Sequence, residues 1–519
     1  MTIKLTFPSA IFSKKTVYLA SVLVLLAAVV FCCFYVFSGY NFLAKWWVGL
    51  SDCIYEQDLW LQHFFTPKVK SQGNLLCIFA LLLSTIGIIY TILQSRKESF
   101  PKGKIVLSIH LIDVLLILLL MSIFFYNWFT GYKMVPLVGD EVRSALDSAA
   151  MHPFQTLSYY MLPNNHILFN LANNIFFHYA EDKVITGKII SLLAYWAFGI
   201  VVYLWFKKIT KSRFFAFFAA IISSLQFPVW AFAFEGRGYE WFNLAGWLVF
   251  ISFIEYYRSN NKNWLLLQAF SGIVAYALVP TFMYFHFALV LFAFFRQIHT
   301  RRFDFDFWKY QALTGLFVFL FYLPAFCFSG IAAFAESRYI KPTNVGLAEF
   351  ISQIPYRSYM DYCFSCFGNS ETITGFLLFL SPLLLFFDRK NKLSVKISWF
   401  YVIMLLSVVF IFIVMRRVGY HRALILQFSM VLFMVIYLLY RICHYLNQRT
   451  KTRFTGHIIF LAAATFSVFH FTTKNAGSVN FVLYFSDMNY FYSYVTEGIK
   501  NLPEGSSVGF SSESYNWYY

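Results

Sequence analysis

Residues 105–129 of this chain read IVLSIHLIDVLLILLLMSIFFYNWF, an apolar run in which Asp113 is the one charged residue. A helix of about 20 apolar residues is long enough to cross the ~30 Å hydrocarbon core of a bilayer. Similar runs recur at 17–38, 75–93, 187–206, 214–234, 241–257, 265–279, 281–295, 311–328, 373–387, 397–415, 424–440 and 458–471. The sequence therefore predicts an all-α polytopic membrane protein with a bundle of about thirteen transmembrane helices.

The composition and the charge distribution support this fold class. Hydrophobic residues make up 60% of the chain and charged residues 13%, about half the charged fraction of a soluble protein. The net charge of +17 gathers in short loops on one side, such as Lys207-Lys208 and Arg301-Arg302, while acidic residues collect in longer loops on the other. This is the positive-inside bias. We therefore expect a multi-pass protein of the plasma (inner) membrane, with a cytoplasmic N-terminus and no nucleic-acid partner.

The spans divide the chain into three parts. Residues 1–104 form an N-terminal transmembrane hairpin, whose first span is too long for a cleaved signal peptide. Residues 105–471 form the main transmembrane core, and residues 472–519 form a short or truncated extracytoplasmic tail. Within the core, residues 265–295 are too many for one span and too few for two full ones. They predict two short helices that turn at Val279-Pro280-Thr281, because proline interrupts a helix.

The loop after residues 105–129 carries a high density of titratable groups. Asp140 and Glu141 follow a turn-forming glycine, and Asn164, Asn165 and His166 come further along the same loop. A carboxylate fixed at a membrane surface loses solvation unless something uses it. The loop therefore indicates an active site on the extracytoplasmic face, although a solvated amphipathic surface helix is an alternative interpretation.

Three other polar pairs have simpler interpretations. Asp304 and Asp306 have the Asp-x-Asp spacing of a metal motif, but they lie among arginines on the inner side and are interpreted as a solvated loop pair. His110 and Asp113 share a helix face, which favours a buried His–Asp or backbone-capped pair that stabilises the bundle. Cys363 and Cys366 are either bridged or reduced. The outer loops offer no strong metal-ligand spacing, so we expect no metal and no cofactor.

Three segments together resemble the GT-C superfamily of membrane glycosyltransferases, in particular its protein O-mannosyltransferase and lipid A aminoarabinose transferase branch. They are Gly139-Asp140-Glu141 with Pro163-Asn164-Asn165-His166, then Glu235-Gly236-Arg237-Gly238-Tyr239, then Arg417-Val418-Gly419-Tyr420-His421-Arg422. Their order and their shared side of the membrane match the family. The resemblance covers roughly residues 105–440, which makes 105–471 a GT-C-like catalytic core, and the N-terminal hairpin is additional.

The resemblance implies transfer of a sugar from a polyprenyl-phosphate donor to a hydroxyl of a glycan, lipid or protein acceptor, with inversion. It implies that Asp140 is the base and that Glu141 orients the acceptor. Cations would hold the leaving phosphate: Arg237, Arg417, His421 and Arg422. Other residues would position the substrates: Asn164, Asn165, His166, Glu235, Tyr239 and Tyr420. The alternatives are an interfacial arginine at Arg417 and a simple ion pair between Arg237 and Glu235.

Two other functions fit some of these features. A secondary transporter or flippase would carry ionisable groups near the midplane and paired repeats, and the sequence has few of the first and no visible repeat. A ligase of the O-antigen type also joins lipid-linked glycans at the outer face. Its main outer loop comes late in the chain, whereas the acidic loop here comes early.

Overall fold

The computed structural model describes most of the membrane core. It describes residues 2–6, 14–51, 57–97, 106–134, 141, 143–160, 165–177, 179–180, 184–225, 227–335, 346–354, 381–386, 388–416, 424–450, 452 and 454–477. Several sequence predictions lie outside these residues: those for Asp140, Asn164, Arg417, Tyr420, His421, Arg422, Cys363 and Cys366, most of the predicted span 373–387, and the tail beyond residue 477.

The described chain is almost entirely helical. Its strands and helices are β1 Thr2–Thr6, α1 Lys14–Phe37, α2 Tyr40–Val48, α3 Gln57–His63, α4 Pro67–Lys97, β2 Val106–His110, α5 Leu111–Met134, α6 Pro153–Ser158, α7 Ile167–Phe177, α8 Ile185–Thr210, α9 Arg213–Ser224, α10 Phe227–Phe234, α11 Tyr239–Ser259, α12 Asn263–Leu278, α13 Met283–Thr300, α14 Phe305–Ser329, α15 Ala332–Ala335, α16 Leu347–Ile354, α17 Lys392–Met415, α18 Ile425–Arg449 and α19 Phe454–Gly477. Among the described residues, eight helices have the length and apolar composition to cross a bilayer. The prediction of an all-α, multi-pass membrane protein is confirmed.

The proline at the predicted helix pair breaks the chain as expected. Helix α12 ends at Leu278, a 3₁₀ turn follows over Pro280–Phe282, and α13 begins at Met283. The predicted single span 214–234 is wrong, because it is divided into α9 and α10 at Leu225. Pro228 explains the division, since proline is accepted in the first turn of a helix but not in its interior.

The predicted span 105–129 is also wrong at its start. Residues Val106–His110 form β2, which pairs antiparallel with β1 so that Thr2 lies opposite His110. His110 and Asp113 therefore do not share a helix face. Instead the backbone N–H of His110 donates to Asp113 Oδ2 at 2.7 Å. The backbone-capped form of this pair is the correct interpretation, because the carboxylate satisfies an amide at the start of α5 that has no partner within the helix.

The Asp304–Asp306 pair takes part in two separate contacts. Asp304 caps α14, where it accepts from the backbone N–H of Phe307 at 3.1 Å and from the hydroxyl of Tyr256 at 2.9 Å. Asp306 pairs with Lys262 at 2.8 Å. The prediction of a wholly solvated loop pair is therefore wrong for Asp304, which is a structural cap.

The packing of the bundle has two main apolar clusters. The larger one is formed mainly by α8–α13 with α17 and α18. The smaller one joins the N-terminal helices to α14. At its centre the indole rings of Trp47 and Trp60 stack 3.7 Å apart, and the ring of Phe65 stacks on that of Phe328 at 5.0 Å. The N-terminal hairpin thus packs against the core through a specific aromatic contact.

Candidate functional site

Four segments meet at one end of the bundle. They are residue 141, the start of α7, the start of α8 and the turn 235–238 that leads into α11. Six of the predicted site residues are described and lie on or beside these segments: Glu141, Asn165, His166, Glu235, Arg237 and Tyr239. The segments that carry Glu141, His166 and Arg237, which are far apart in the sequence, are brought together.

A buried ion pair lies at the centre of this end. Glu141 Oε1 is 3.3 Å from Lys188 Nζ, and the two side chains are only 1% and 4% exposed. The backbone N–H of Gly236 donates to the same Oε1, and the ammonium also lies 5.5 Å from the centre of the Tyr132 ring. A buried carboxylate needs such partners to offset its lost solvation. Glu141 is therefore held in a fixed position between α8 and the 235–238 turn.

Three glycines lie where neighbouring segments approach this turn closely. A Cβ on Gly187 would lie 3.3 Å from the Cα of Gly236, and a Cβ on Gly236 would lie 3.3 Å from Glu141 Oε1. A Cβ on Gly238 would lie 2.9 Å from His166 Nδ1 and 3.1 Å from the Cβ of Phe169. These distances are shorter than ordinary van der Waals contact, so the glycines allow the segments to approach.

Two of the predicted substrate-positioning residues, His166 and Tyr239, form a small aromatic cluster beside Arg237, which is predicted to bind the donor phosphate. The rings of His166 and Tyr239 meet edge to face with centroids 4.4 Å apart. The guanidinium carbon of Arg237 lies 5.8 Å from the centre of the Tyr239 ring. Ser191 Oγ donates to the carbonyl of Arg237 at 3.1 Å, and the N–H of Arg237 donates to the carbonyl of Glu235 at 2.8 Å. The geometry therefore places a buried cation beside the His–Tyr pair.

Four asparagine side chains form hydrogen bonds in and around α7; Asn170, Asn173 and Asn174 are buried, and Asn165 is half-buried. Asn165 donates to the carbonyl of Tyr159 at 2.7 Å and accepts from Asn170 at 2.7 Å. The hydroxyl of Thr186 donates to Asn173. Asn174 donates to two backbone carbonyls, at 2.6 and 2.7 Å. Because buried amides need partners, these bonds fix α7 against the preceding loop and against α8.

The structure adds two residues that the sequence analysis missed. The first is Lys188, which could have been identified as a single lysine within the predicted apolar span 187–206. Glu240 is the other: it is fully buried in the first turn of α11, and neither of its carboxylate oxygens has a hydrogen-bond partner in the part of the chain that the structure describes. A carboxyl group in a first turn lies where the helix dipole favours negative charge. In the sequence, Glu240 could have been identified as an acidic residue that directly follows the Arg237–Tyr239 segment.

These contacts give the site a defined chemical character. It combines a buried carboxyl group with an ammonium, a guanidinium and an imidazole in a region of low solvent access. Fixed cations in such a region can stabilise a developing negative charge, and a fixed carboxylate can orient a hydroxyl. Among the described residues no group of three His, Cys, Asp or Glu side chains is arranged to hold a metal ion.

Comparison with known proteins gives a partial likeness at the level of solved structures. No known family model matches this chain, and no curated protein matches it. A solved structure, arabinosyltransferase EmbB from Mycobacterium smegmatis, matches with a TM-score of 0.43 and 9% sequence identity. The match covers 71% of this chain and 34% of the EmbB chain, so this chain spans only about a third of that protein. At this TM-score the likeness carries no information about function.

Proposed function

We propose that this protein is a GT-C-type membrane glycosyltransferase, which moves a sugar from a polyprenyl-phosphate donor to an acceptor hydroxyl at the outer face of the plasma membrane. The observation that carries the proposal is the buried Glu141–Lys188 pair, bonded to Gly236 next to His166 and Arg237. Such a fixed set of charges at the end of an apolar helix bundle suits a substrate that is itself part lipid and part anion.

The proposed reaction is a single displacement at the anomeric carbon of the donor sugar. The Asp140 carboxylate takes the proton of the acceptor hydroxyl, whose oxygen forms the new bond to that carbon. The bond from the same carbon to the phosphate oxygen breaks, and polyprenyl phosphate leaves with the electron pair. Because attack and departure are on opposite faces, the configuration is inverted, with the carboxylate acting as a general base.

The other residues hold the reacting groups in place. Arg237, with Arg417, His421 and Arg422, binds the leaving phosphate through charge-assisted hydrogen bonds. Glu141 orients the acceptor, and the contact with Lys188 holds Glu141 in position. His166, Tyr239 and Glu235, together with Asn164, Asn165 and Tyr420, position the two substrates.

Replacement of the base tests the proposal. Asp140→Asn preserves size but cannot accept a proton, so transfer from a purified polyprenyl-phosphate sugar should slow about 10²–10⁴-fold, while donor binding remains. Asp306→Asn is the matched control, because Asp306 forms a partly exposed ion pair with Lys262 at the other end of the bundle. Near wild-type transfer by Asp140→Asn would exclude Asp140 as the base.

The product distinguishes this function from the alternatives. A transferase that uses a polyprenyl-phosphate sugar releases free polyprenyl phosphate in proportion to the glycosylated acceptor. A flippase moves the intact donor without cleaving it, and an O-antigen-type ligase consumes a preassembled glycan in one step. Reconstituted protein that translocates the donor without releasing any lipid phosphate would contradict the proposal.

A further inference from the structure

A charged cavity lies at the end of the bundle opposite the Glu141 cluster. Helix α11 starts beside the Glu141 cluster and runs for 21 residues, which is about 30 Å. At its far end a cavity of ≈ 440 Å³ opens between α11, α17 and α18. Its lining residues are Ile254, Tyr257, Arg258, Lys390, Asn391, Lys392, Leu393, Lys396 and Arg441. The lining therefore contains five cations and no carboxylate.

Two of the five cations already have a carboxylate partner. Arg258 lies 3.3 Å from Glu255 Oε1. Arg441 forms a two-point contact with Asp388, with its Nε and Nη2 donating at 2.7 and 3.0 Å. Such a paired guanidinium is held in a fixed orientation. These two arginines are thus held in the wall of the cavity, and Arg258 shares its carboxylate partner with Lys208.

The three lysines differ from these arginines. Within the described ranges, no carboxylate pairs with Lys390, Lys392 or Lys396. The ammonium of Lys396 donates to the carbonyl of Tyr257, at 3.3 Å. Lys390 and Lys392 are exposed and Lys396 is half-buried, and like charges that line one cavity repel one another less when an anion lies between them. The cavity therefore has an unbalanced positive charge.

The start of α17 adds to this field. Asn391 caps the helix by accepting from the N–H of Leu393 at 3.0 Å, and α17 continues for 24 residues to Met415. The positive end of its dipole thus points toward the same space as Lys392. Leu393 and Ile254 supply an apolar side to the cavity. The lining of the cavity thus includes both basic and apolar side chains.

We propose that this cavity binds an anionic phosphate group, either the head group of an acidic phospholipid or free phosphate. Ammonium groups and a helix N-terminus are suitable partners for phosphate oxygens, and basic pockets between transmembrane helices hold acidic lipid head groups. A positive-inside bias alone requires basic loops, but it does not require that α17, α18 and the end of α11 converge on one space. The site is separate from the proposed glycosyl-transfer site.

The test compares lipid and phosphate binding in the full chain. Wild-type protein is placed in phosphatidylcholine nanodiscs, with and without phosphatidylglycerol. Bound lipid is measured by native mass spectrometry, and the midpoint of thermal unfolding is measured on the same samples. Lys392→Gln/Lys396→Gln should weaken phosphatidylglycerol binding about 25-fold, because each lysine near an anionic group contributes about fivefold. Arg302→Gln is the control, because Arg302 is exposed and does not line the cavity. It should bind as the wild type does.

A second arm identifies the source of the phosphate. If inorganic phosphate raises the thermal midpoint of the wild type but not of the double variant, and phosphatidylglycerol does not, the ligand is free phosphate. If only phosphatidylglycerol does so, the ligand is a lipid. Equal binding by wild type and double variant for both probes would overturn the proposal, as would an equal loss in Arg302→Gln. If the double variant folds poorly, Lys392→Gln alone replaces it, because Lys392 is exposed. This single variant should weaken phosphatidylglycerol binding by a smaller factor than the double variant.

Discussion

Among Gly187, Gly236 and Gly238, Gly238 leaves the least space for an added side chain. An added methyl group would lie 2.9 Å from His166 Nδ1 and 3.1 Å from the Cβ of Phe169, so the His166–Tyr239 contact must shift. We expect Gly238→Ala to destabilise the protein by about 1–3 kcal/mol, as overpacking does, and to lower transfer activity. Thermal unfolding in detergent measures the first effect. Gly315→Ala in α14 is the matched control, since nothing lies within 4 Å of its added Cβ, and a loss of stability as large as that of Gly238→Ala would contradict the steric explanation.

Lys188 and Glu141 should behave as a coupled pair. Lys188→Met leaves the Glu141 carboxylate buried without its cation, and breaking a buried pair in this way costs about 3–5 kcal/mol. Adding Glu141→Gln removes the uncompensated charge, so the double variant should be more stable than Lys188→Met alone. A double-mutant cycle on the thermal midpoint measures the coupling. Strictly additive single effects would show that the two side chains do not interact.

At the scale of elements, Asp113 joins α5 to the helices α8 and α9. Its carboxylate accepts from Tyr203 at 2.7 Å, Lys207 at 2.6 Å and Arg213 at 2.8 Å. Asp113→Asn keeps the shape but removes the charge that these cations face, so we expect a loss of about 3 kcal/mol in stability. Asp306→Asn breaks a more exposed pair and should cost under about 1 kcal/mol. Comparable losses in the two variants, measured by thermal unfolding, would disprove the structural role of Asp113.

The sequence located most helices but not every boundary. Long apolar runs predict spanning helices because their length and composition are set by the bilayer rather than by particular neighbours. The break in the helix at Pro280 could likewise be predicted from the local sequence, because proline interrupts a helix. The start of α5 could not, because Val106–His110 is a strand only by pairing with Thr2–Thr6. Lys188 was missed for the same reason, since its role depends on Glu141 in a distant part of the chain.

At the scale of the whole molecule, the orientation in the membrane is open to a direct test. The charge bias predicts that the end bearing the Glu141 cluster faces outward. In a background whose native cysteines do not react, His152→Cys should label with an impermeant maleimide in intact cells, because His152 is exposed near that end. Arg302→Cys should label only after permeabilisation. The reverse pattern would invert the topology and, with it, the proposed face of catalysis.

The contact between Gly187 and Gly236 has a consequence for the evolution of this protein. The start of α8 and the 235–238 turn approach through main chain alone, and a Cβ on either residue would press on the other segment or on Glu141. A lineage that replaces one glycine must therefore also move the opposite segment, and the two positions are constrained as a pair. We expect relatives that share this site to keep both glycines or to change both together, which a sequence alignment of such relatives would measure.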